Sequence, residues 1–452
     1  MSLREQNERP AMPEPGPYQL NKNVHNITRY QTIAADMQHP GNRPRLYVHV
    51  DMNAFYAQVE QLCYNLYGMP VAVGGWRKPD GTVKGIVATS SYEARAWGVT
   101  TGMSALEAYK CCPHIIFKQV DYEKYRAFSK RIKDTLEMFS PDMEAYSMDE
   151  FFLDITWKKD ATYKQLVEFA WGIKESIYQE TKLYCSVGIS TSKTYAKLAS
   201  DLEKPNGLTV LTEEKEIQNK IWPMPVDEVW GVGRRRYAKI KDRGVTTIGE
   251  AIERGYPLFQ KLFGQYFGKM LWKTVAGKDR AIVSDDTEYI PERVSYGHTF
   301  STWTDDPWKV AGEFAKATKQ VCYRLRGYGK KSDKYFGNVR FQGQQKEGFS
   351  FTFRAPGLTN LDAYVLRNCL QKVLPMLCYY KDRGKQFRAI ILGTTELNMT
   401  TQTELFFREN PKIRRMYRAM DYLNNRFGLA TIDHGISKLD VKGHTHFKER
   451  SM

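Results

Sequence analysis

MEAYSMDEFFLDIT, residues 143–156, sets two adjacent carboxylates, Asp149 and Glu150, between two short apolar segments. Met143 to Tyr146 and Phe151 to Ile155 read as strands, with the acids at the bend that joins them. An earlier segment, LYVHVDMNAFYAQVE (46–60), ends a further strand on a third acid, Asp51. Carboxylates on neighbouring strand ends can hold two Mg²⁺ ions, which prefer hard oxygen ligands and keep waters and substrate phosphates as the remainder. Taken alone, the Asp-Glu pair also describes a solvated turn, the commoner setting for two adjacent acids.

The chain of 452 residues is too long for one compact core and implies three or four domains. Its formal net charge of +16 points to a polyanionic partner, either nucleic acid or an anionic membrane surface. No apolar run approaches the roughly 18–20 residues that span a bilayer, and the N-terminus has no apolar signal core, so nucleic acid is the better fit. Seven cysteines and eight histidines make no CxxC or Cys/His spacing, which points to reduced thiols and to metal bound through oxygen.

Residues 1–44 are polar and proline-rich without periodicity and read as a flexible extension; an arm ordered against the body is the other reading. Short strands and helices then alternate. Strands are expected at Leu46 to Asp51, Val71 to Gly74, Gly85 to Thr89 and Cys185 to Ile189. Helices are expected from near Ala54, then at Tyr92 to Trp97, Ser104 to Cys111, Tyr122 to Met138, Tyr163 to Thr181 and Ser192 to Leu202. From Ile221 to about Ile290 the strand signal fades. Within that block, DEVWGVGRRRYAKIKDRGVTTIGE (227–250) is similar to a helix-hairpin-helix. Its turn would be formed by Gly231 and Gly233, whose backbone can approach a phosphate, with Arg234, Arg235 and Arg236 beside it. An ordinary helix-linking turn has the same pattern.

Arg293 to about Leu397 reads β-α-β-β-α-β. Val339 and Phe341 alternate with Asn338 and Arg340, and Phe349, Phe351 and Phe353 with Ser350, Thr352 and Arg354. One sheet face is thus apolar, and the other carries Arg340 and Arg354, suited either to phosphate or simply to solvent.

Four stretches occur in a fixed order: VDMNAFYAQVE (50–60), ATSSYEARAWGV (88–99), YSMDEFFLD (146–154) and VGISTSKTYAKLASDLEKPNG (187–207). Together they resemble the Y-family DNA polymerases, most closely the bacterial DinB type. The resemblance runs from about Arg45 to the tail near Gly428. It implies an α+β, multidomain right-hand polymerase. Its parts would be a palm (45–55 and 121–220), fingers (56–120), a helical thumb with the helix-hairpin-helix (221–290), a βαββαβ little finger (291–399) and a tail (400–452).

The resemblance also implies roles. Asp51, Asp149 and the carbonyl of Met52 would bind metal, and Glu150 would support the metal at the primer terminus. Tyr92 and Arg95 would contact the incoming triphosphate with Lys197 and, more weakly, Thr89. The amides of Phe55 and Tyr56 open a helix toward phosphate, and the Tyr56 ring would be the steric gate against a ribose 2′-hydroxyl. Trp230 stands where the family often has proline.

In the tail, Gln402-Thr403-Glu404-Leu405-Phe406 resembles the Q-x-[DS]-L-F peptide that binds the bacterial sliding clamp, with Glu404 as a departure. Gln402, Leu405 and Phe406 would be its anchors; burial of Leu405 and Phe406 inside the protein is the alternative. The basic helix after it, with Arg414, Arg415 and Arg418, reads as a solvated helix. The function implied is distributive, template-directed translesion synthesis. The enzyme would use two Mg²⁺ ions, dNTPs, primer-template DNA and a clamp, as a monomer in the bacterial cytoplasm. The rivals are a catalytically silent scaffold that holds DNA and clamp, and another palm enzyme such as a nucleotide cyclase.

Overall fold

The structure, a computed structural model, describes residues 45–279, 282–283, 291–343, 347–399, 409–427 and 431–432. The N-terminal extension and the pentapeptide with Gln402, Leu405 and Phe406 lie outside the described residues. The chain divides into two compact units, residues 1–288 and 289–452.

The first unit begins with β1 (Tyr47–Met52) and α1 (Phe55–Cys63). A small module follows: β2 (Val71–Val73), β3 (Trp76–Arg77), β4 (Val83–Lys84), β5 (Thr89–Ser90), α2 (Tyr92–Ala96), α3 (Ala105–Cys111) and β6 (Ile116–Lys118). The chain then returns through α4 (Tyr122–Leu136), β7 (Met143–Ala145), β8 (Glu150–Asp154), α5 (Tyr163–Thr181), β9 (Cys185–Ser190), α6 (Lys193–Leu202) and β10 (Leu208–Leu211). Five strands form one sheet in the order β10-β9-β1-β8-β7.

The central strand β1 is buried along its whole length because helices cover both faces. Val48, Val50 and Met52 share a core with Tyr125 and Ile132 of α4 and Ile173 and Ile177 of α5. The alternate residues face α6, where Tyr47 packs with Phe152 and Ala196. Helix α6 lies directly on β9. A Cβ at Gly188 would come within 2.2 Å of the Ala196 carbonyl oxygen, so only glycine admits this approach.

One sequence expectation fails in the small module. Gly85 to Thr89 is not a strand; β5 holds only Thr89 and Ser90. Gly85 has φ +104°, and its backbone lies so close to Gly75 that a Cβ would come within 2.5 Å of the Gly75 Cα. That conformation breaks the extended run, and Ile86 makes an isolated bridge to Ser104 instead.

Among the described residues after β10, the first unit is helical: α7 (Glu214–Lys220), α8 (Arg234–Lys241), α9 (Ile248–Phe263) and α10 (Gln265–Val275). Helix α9 is kinked at Gly255, whose φ of +68° precedes Pro257.

In the second unit the order is β11 (Ser295–Thr304), α11 (Pro307–Gly327), β12 (Lys330–Phe341), β13 (Gly348–Thr359), α12 (Asp362–Lys381), β14 (Phe387–Thr394), β15 (Asn398–Met399) and α13 (Pro411–Phe427). The sheet runs β11-β14-β12-β13, with β15 on β12. Val339, Phe341, Phe349 and Phe351 meet Phe314 of α11 and Cys369 and Leu377 of α12 in the core. Helix α13, expected to be a solvated tail helix, is docked instead. Its Tyr417 is buried, and Asp421 takes the guanidinium of Arg326, which also reaches Asp362 at 2.7 Å.

Candidate active site

Asp51 and Glu150 are directly opposed residues of β1 and β8, so their side chains leave the same face of the sheet. Asp149 stands on the bend one residue earlier, and its carbonyl accepts the Met52 N–H at 2.9 Å. Ser147 shapes that bend. Its hydroxyl donates to Asp149 Oδ1 at 2.6 Å and accepts from the N–H groups of Asp149 and Glu150 at 3.3 and 3.1 Å. The three acids therefore project from rigid backbone where the end of β1 meets the start of β8, in the middle of the sheet.

Two ammonium groups answer these acids. Lys197 Nζ lies 2.6 Å from Glu150 Oε1, and Lys204 Nζ lies 2.8 Å from Asp51 Oδ2 and 2.6 Å from Asp201. Burial pushes the Asp51 carboxyl up to about 6, and the charges of Glu150 and Asp201 add to it, against the pull of Lys204. Burial opposes the Lys204 charge, but Asp51 and Asp201 together outweigh it and raise its pKa. Lys204 stays charged and is shared by the two acids.

Among the described residues, no three His, Cys, Asp or Glu side chains converge on one point as a ready ligand set. The donor chemistry nonetheless fits a divalent cation: hard carboxylate oxygens on adjacent strands, two of them now balanced by lysine cations.

Beneath Glu150 lies His49, fully buried against Phe152. The Ser200 hydroxyl donates to the Lys197 carbonyl at 2.7 Å, so it accepts from His49 Nδ1–H at 2.8 Å. Nε2 is then the unprotonated nitrogen. It has no hydrogen-bond partner and stands 4.0 Å from Glu150 Oε2. Burial, followed by Lys197, Lys204 and Lys193, holds the imidazole well below its ordinary pKa, so it is neutral and makes no ion pair.

Helix α1 starts beside β1. Its cap residue, Ala54, is left-handed at φ 44°, and no side chain caps the first turn that begins with Phe55 and Tyr56. The Phe55 ring is buried in the core, which leaves its amide as its available group. The Tyr56 ring stacks on Tyr125 at 4.3 Å and 17°, with Tyr122 edge-on. Tyr125 in turn donates to Glu60 at 2.8 Å, and Lys124 reaches the same carboxylate at 2.9 Å. Burial and the charge of Asp149 raise the Tyr56 phenol, which places it on the acid side of the helix.

Arg95 lies with its guanidinium 4.7 Å over the Tyr92 ring, and its Nε donates to the Ser90 carbonyl at 3.1 Å. Burial raises the Tyr92 phenol, with Arg95 and Lys204 opposing and Asp51 adding. Thr89 is half-buried nearby in sequence, its hydroxyl turned onto the Ala88 carbonyl at 2.8 Å. Lys197, expected among the phosphate contacts, is paired with Glu150 in this structure. Lys204 was not singled out from the sequence, although it lies in the quoted stretch 187–207. The signal available was a lysine at a Pro-Asn-Gly turn, which gives no hint that the turn folds back to β1.

The glycine turn is formed as a left-handed Gly231 (φ +87°) followed by Gly233 at the start of α8, whose first turn has no side-chain cap. Arg234 and Arg235 are exposed, while Arg236 folds back to the Gly231 carbonyl at 2.7 Å. Trp230 stacks on Phe152 at 5.9 Å and meets Tyr146 edge-on at 4.4 Å. The aromatic that replaces the family's usual proline thus packs onto the hairpin carrying the acids. In the second unit, Arg340 and Arg354 are exposed on the sheet face opposite the helices, and Arg354 contacts Asp333 at 3.2 Å.

Residues 50–201 match the impB/mucB/samB family and residues 214–245 match the IMS family HHH motif. The chain is 32% identical over 420 residues to DNA polymerase IV 1 of Bacillus subtilis (strain 168), covering 91% of this chain and 95% of that protein. It is 32% identical over 373 residues to DNA polymerase IV of Clostridioides difficile (strain 630), covering 80% and 95%. Among solved structures, the Y-family DNA polymerase chimera Dbh-Dpo4(243-245)-Dbh is similar with a TM-score of 0.66 at 24% identity, over 78% of this chain and 99% of that one. The insertion ternary complex of Dbh DNA polymerase gives 0.51 at 25% identity, over the same shares.

Proposed function

The chain belongs to the Y-family DNA polymerases, DinB type, and on that premise we propose that it performs template-directed translesion DNA synthesis, adding dNTPs to a primer 3′-hydroxyl. The observation that carries this reading to the site is the pairing of Asp51 with Glu150 across β1 and β8, with Asp149 on the bend beside them. Asp51, Asp149, Glu150 and the Met52 carbonyl are the groups that would hold two Mg²⁺ ions. When bound, these ions make the primer hydroxyl a better nucleophile and neutralise the departing pyrophosphate.

The chain's own groups do the positioning. Arg95 and Tyr92 direct a charged fork and a phenol at the triphosphate, and Lys204 adds a cation from the same cluster. Lys197 joins them from Glu150. The uncapped start of α1 offers the Phe55 and Tyr56 amides to an anion, and the braced Tyr56 ring excludes a 2′-hydroxyl. Gly231 and Gly233 present backbone to a DNA phosphate, and Arg340 and Arg354 supply basic groups on the second unit.

The enzyme works distributively as a monomer. Gln402, Leu405 and Phe406 tether it to a sliding clamp, an arrangement that raises its local concentration at the primer. Primer extension on undamaged and lesion-bearing templates tests the reading. Addition that depends on a divalent cation and on template identity is expected. DNA binding without any nucleotide addition would instead identify a silent scaffold.

A further inference from the structure

Behind the triphosphate cluster the first unit contains a cavity of about 450 Å³. One side is formed by Ala54, Tyr92 and Asn206, the cap of α1, a proposed phosphate contact and the second residue after Lys204. Leu62, Tyr67, Tyr178 and Tyr184 supply aromatic and apolar lining; Glu93, which accepts from Gln61, and Lys182, whose ammonium lies 5.3 Å over the Tyr178 ring, line it as well. Tyr178 and Tyr184 stack at 4.9 Å and 26°.

The walls are fixed by hydrogen bonds made within them. Gln58 donates to the Asn53 carbonyl at 2.6 Å and the Tyr184 carbonyl at 3.2 Å. Gln61 donates to the Met69 carbonyl and Glu93, both at 2.9 Å. The buried ammonium of Lys174 gathers the Asn206 carbonyl at 2.8 Å, its side-chain oxygen at 2.7 Å and the Cys185 carbonyl at 2.6 Å. These amides and this ammonium are spent on the walls, so what the cavity offers an occupant is chiefly aromatic surface in a preformed space. Tyr67 is half exposed, so the cavity opens to solvent beside it.

We propose that this cavity accepts an uncharged aromatic group carried on the terminal phosphate of the incoming nucleotide, making γ-aryl esters of dNTPs substrates. The inference rests on the proposed placement of the triphosphate beside Tyr92 and Lys204. The occupant follows from continuity: Tyr92, a proposed phosphate contact, and Ala54, the cap of α1, line the same cavity as the aromatic wall, so a ring attached beyond the γ-phosphate is delivered into it. In the reaction the primer O3′ bonds to the α-phosphorus, and the bond from that phosphorus to the α–β bridging oxygen breaks. The hydroxyl proton passes to solvent, and the aryl diphosphate leaves in place of pyrophosphate.

The test is single-nucleotide insertion opposite template adenine, comparing dTTP with its γ-phenyl ester. In the wild type the KM of the ester is expected within about threefold of that of dTTP. Tyr67→Ala is expected to raise the KM of the ester at least about fivefold and leave dTTP unchanged. Leu62→Trp, which fills the cavity, is expected to exclude the ester while dTTP is still inserted; should that variant fail to fold, Tyr67→Ala decides. An ester KM more than tenfold above that of dTTP in the wild type, or equal effects of Tyr67→Ala on both nucleotides, overturns the cavity assignment alone. Failure to insert dTTP at all overturns the polymerase reading and the inference with it.

Discussion

At the scale of single residues, burial sets how the site responds to its surroundings. Asp51 is nearly closed off from solvent, and burial pushes its carboxyl up to about 6. An acid with a raised pKa is ionised, and able to bind metal, only above that value, so metal affinity must fall as pH falls through it. Calorimetric titration of DNA-free protein with Mn²⁺ is expected to show affinity dropping roughly tenfold between about pH 7 and 5, as one proton competes for one carboxylate. A flat profile over that window would show that Asp51 does not control the site. Tyr56 is stiffened from below by Tyr125 rather than by the backbone alone. Tyr56→Ala is expected to raise ribonucleotide insertion relative to deoxyribonucleotide by at least about tenfold, near 1.4 kcal/mol of lost discrimination. Equal losses with both sugars would make the ring a packing residue only.

At the scale of elements, a buried ion pair ties α6 to the strand that precedes the acids. Lys193 Nζ lies 2.6 Å from Glu144 Oε2 on β7, over the Phe152 ring, and both side chains are buried. Removing one member of such a pair costs roughly 3 kcal/mol or more, whereas replacing both by apolar groups is often close to neutral. Lys193→Met is therefore expected to lower the unfolding temperature clearly, and adding Glu144→Leu to restore most of the loss. If the double variant is no better than the single, the pair is not what the site rests on. The elements themselves were largely legible in the sequence. Helix Tyr163–Thr181 has the expected bounds because its apolar period is sustained and Thr162 caps it. The strand expected over Gly85 to Thr89 failed because β-type composition does not reveal a left-handed glycine pressed against Gly75. Ordered motifs placed Asp51, Asp149 and Glu150, but His49 and Lys204 are found only once β1, α6 and the turn before β10 are brought together.

At the scale of the whole molecule, a net charge of +16 and exposed arginines on each unit make DNA affinity a matter of counterion release. Affinity for primer-template is expected to fall with salt with a log–log slope steeper than about −4; a slope near zero would exclude a phosphate-gripping surface. That grip and the chemistry are separate assignments. The acids stand where β1 and β8 meet, whereas the basic groups proposed to hold DNA lie on the glycine turn and on the second unit's sheet. Asp149→Ala separates them most directly, measured as single-turnover primer extension alongside primer-template affinity at fixed salt. The expected result is a loss of extension on the order of a thousand-fold with affinity within about threefold of wild type. Extension near the wild-type rate, in a variant that binds DNA normally, would contradict the assignment of this turn as the catalytic centre.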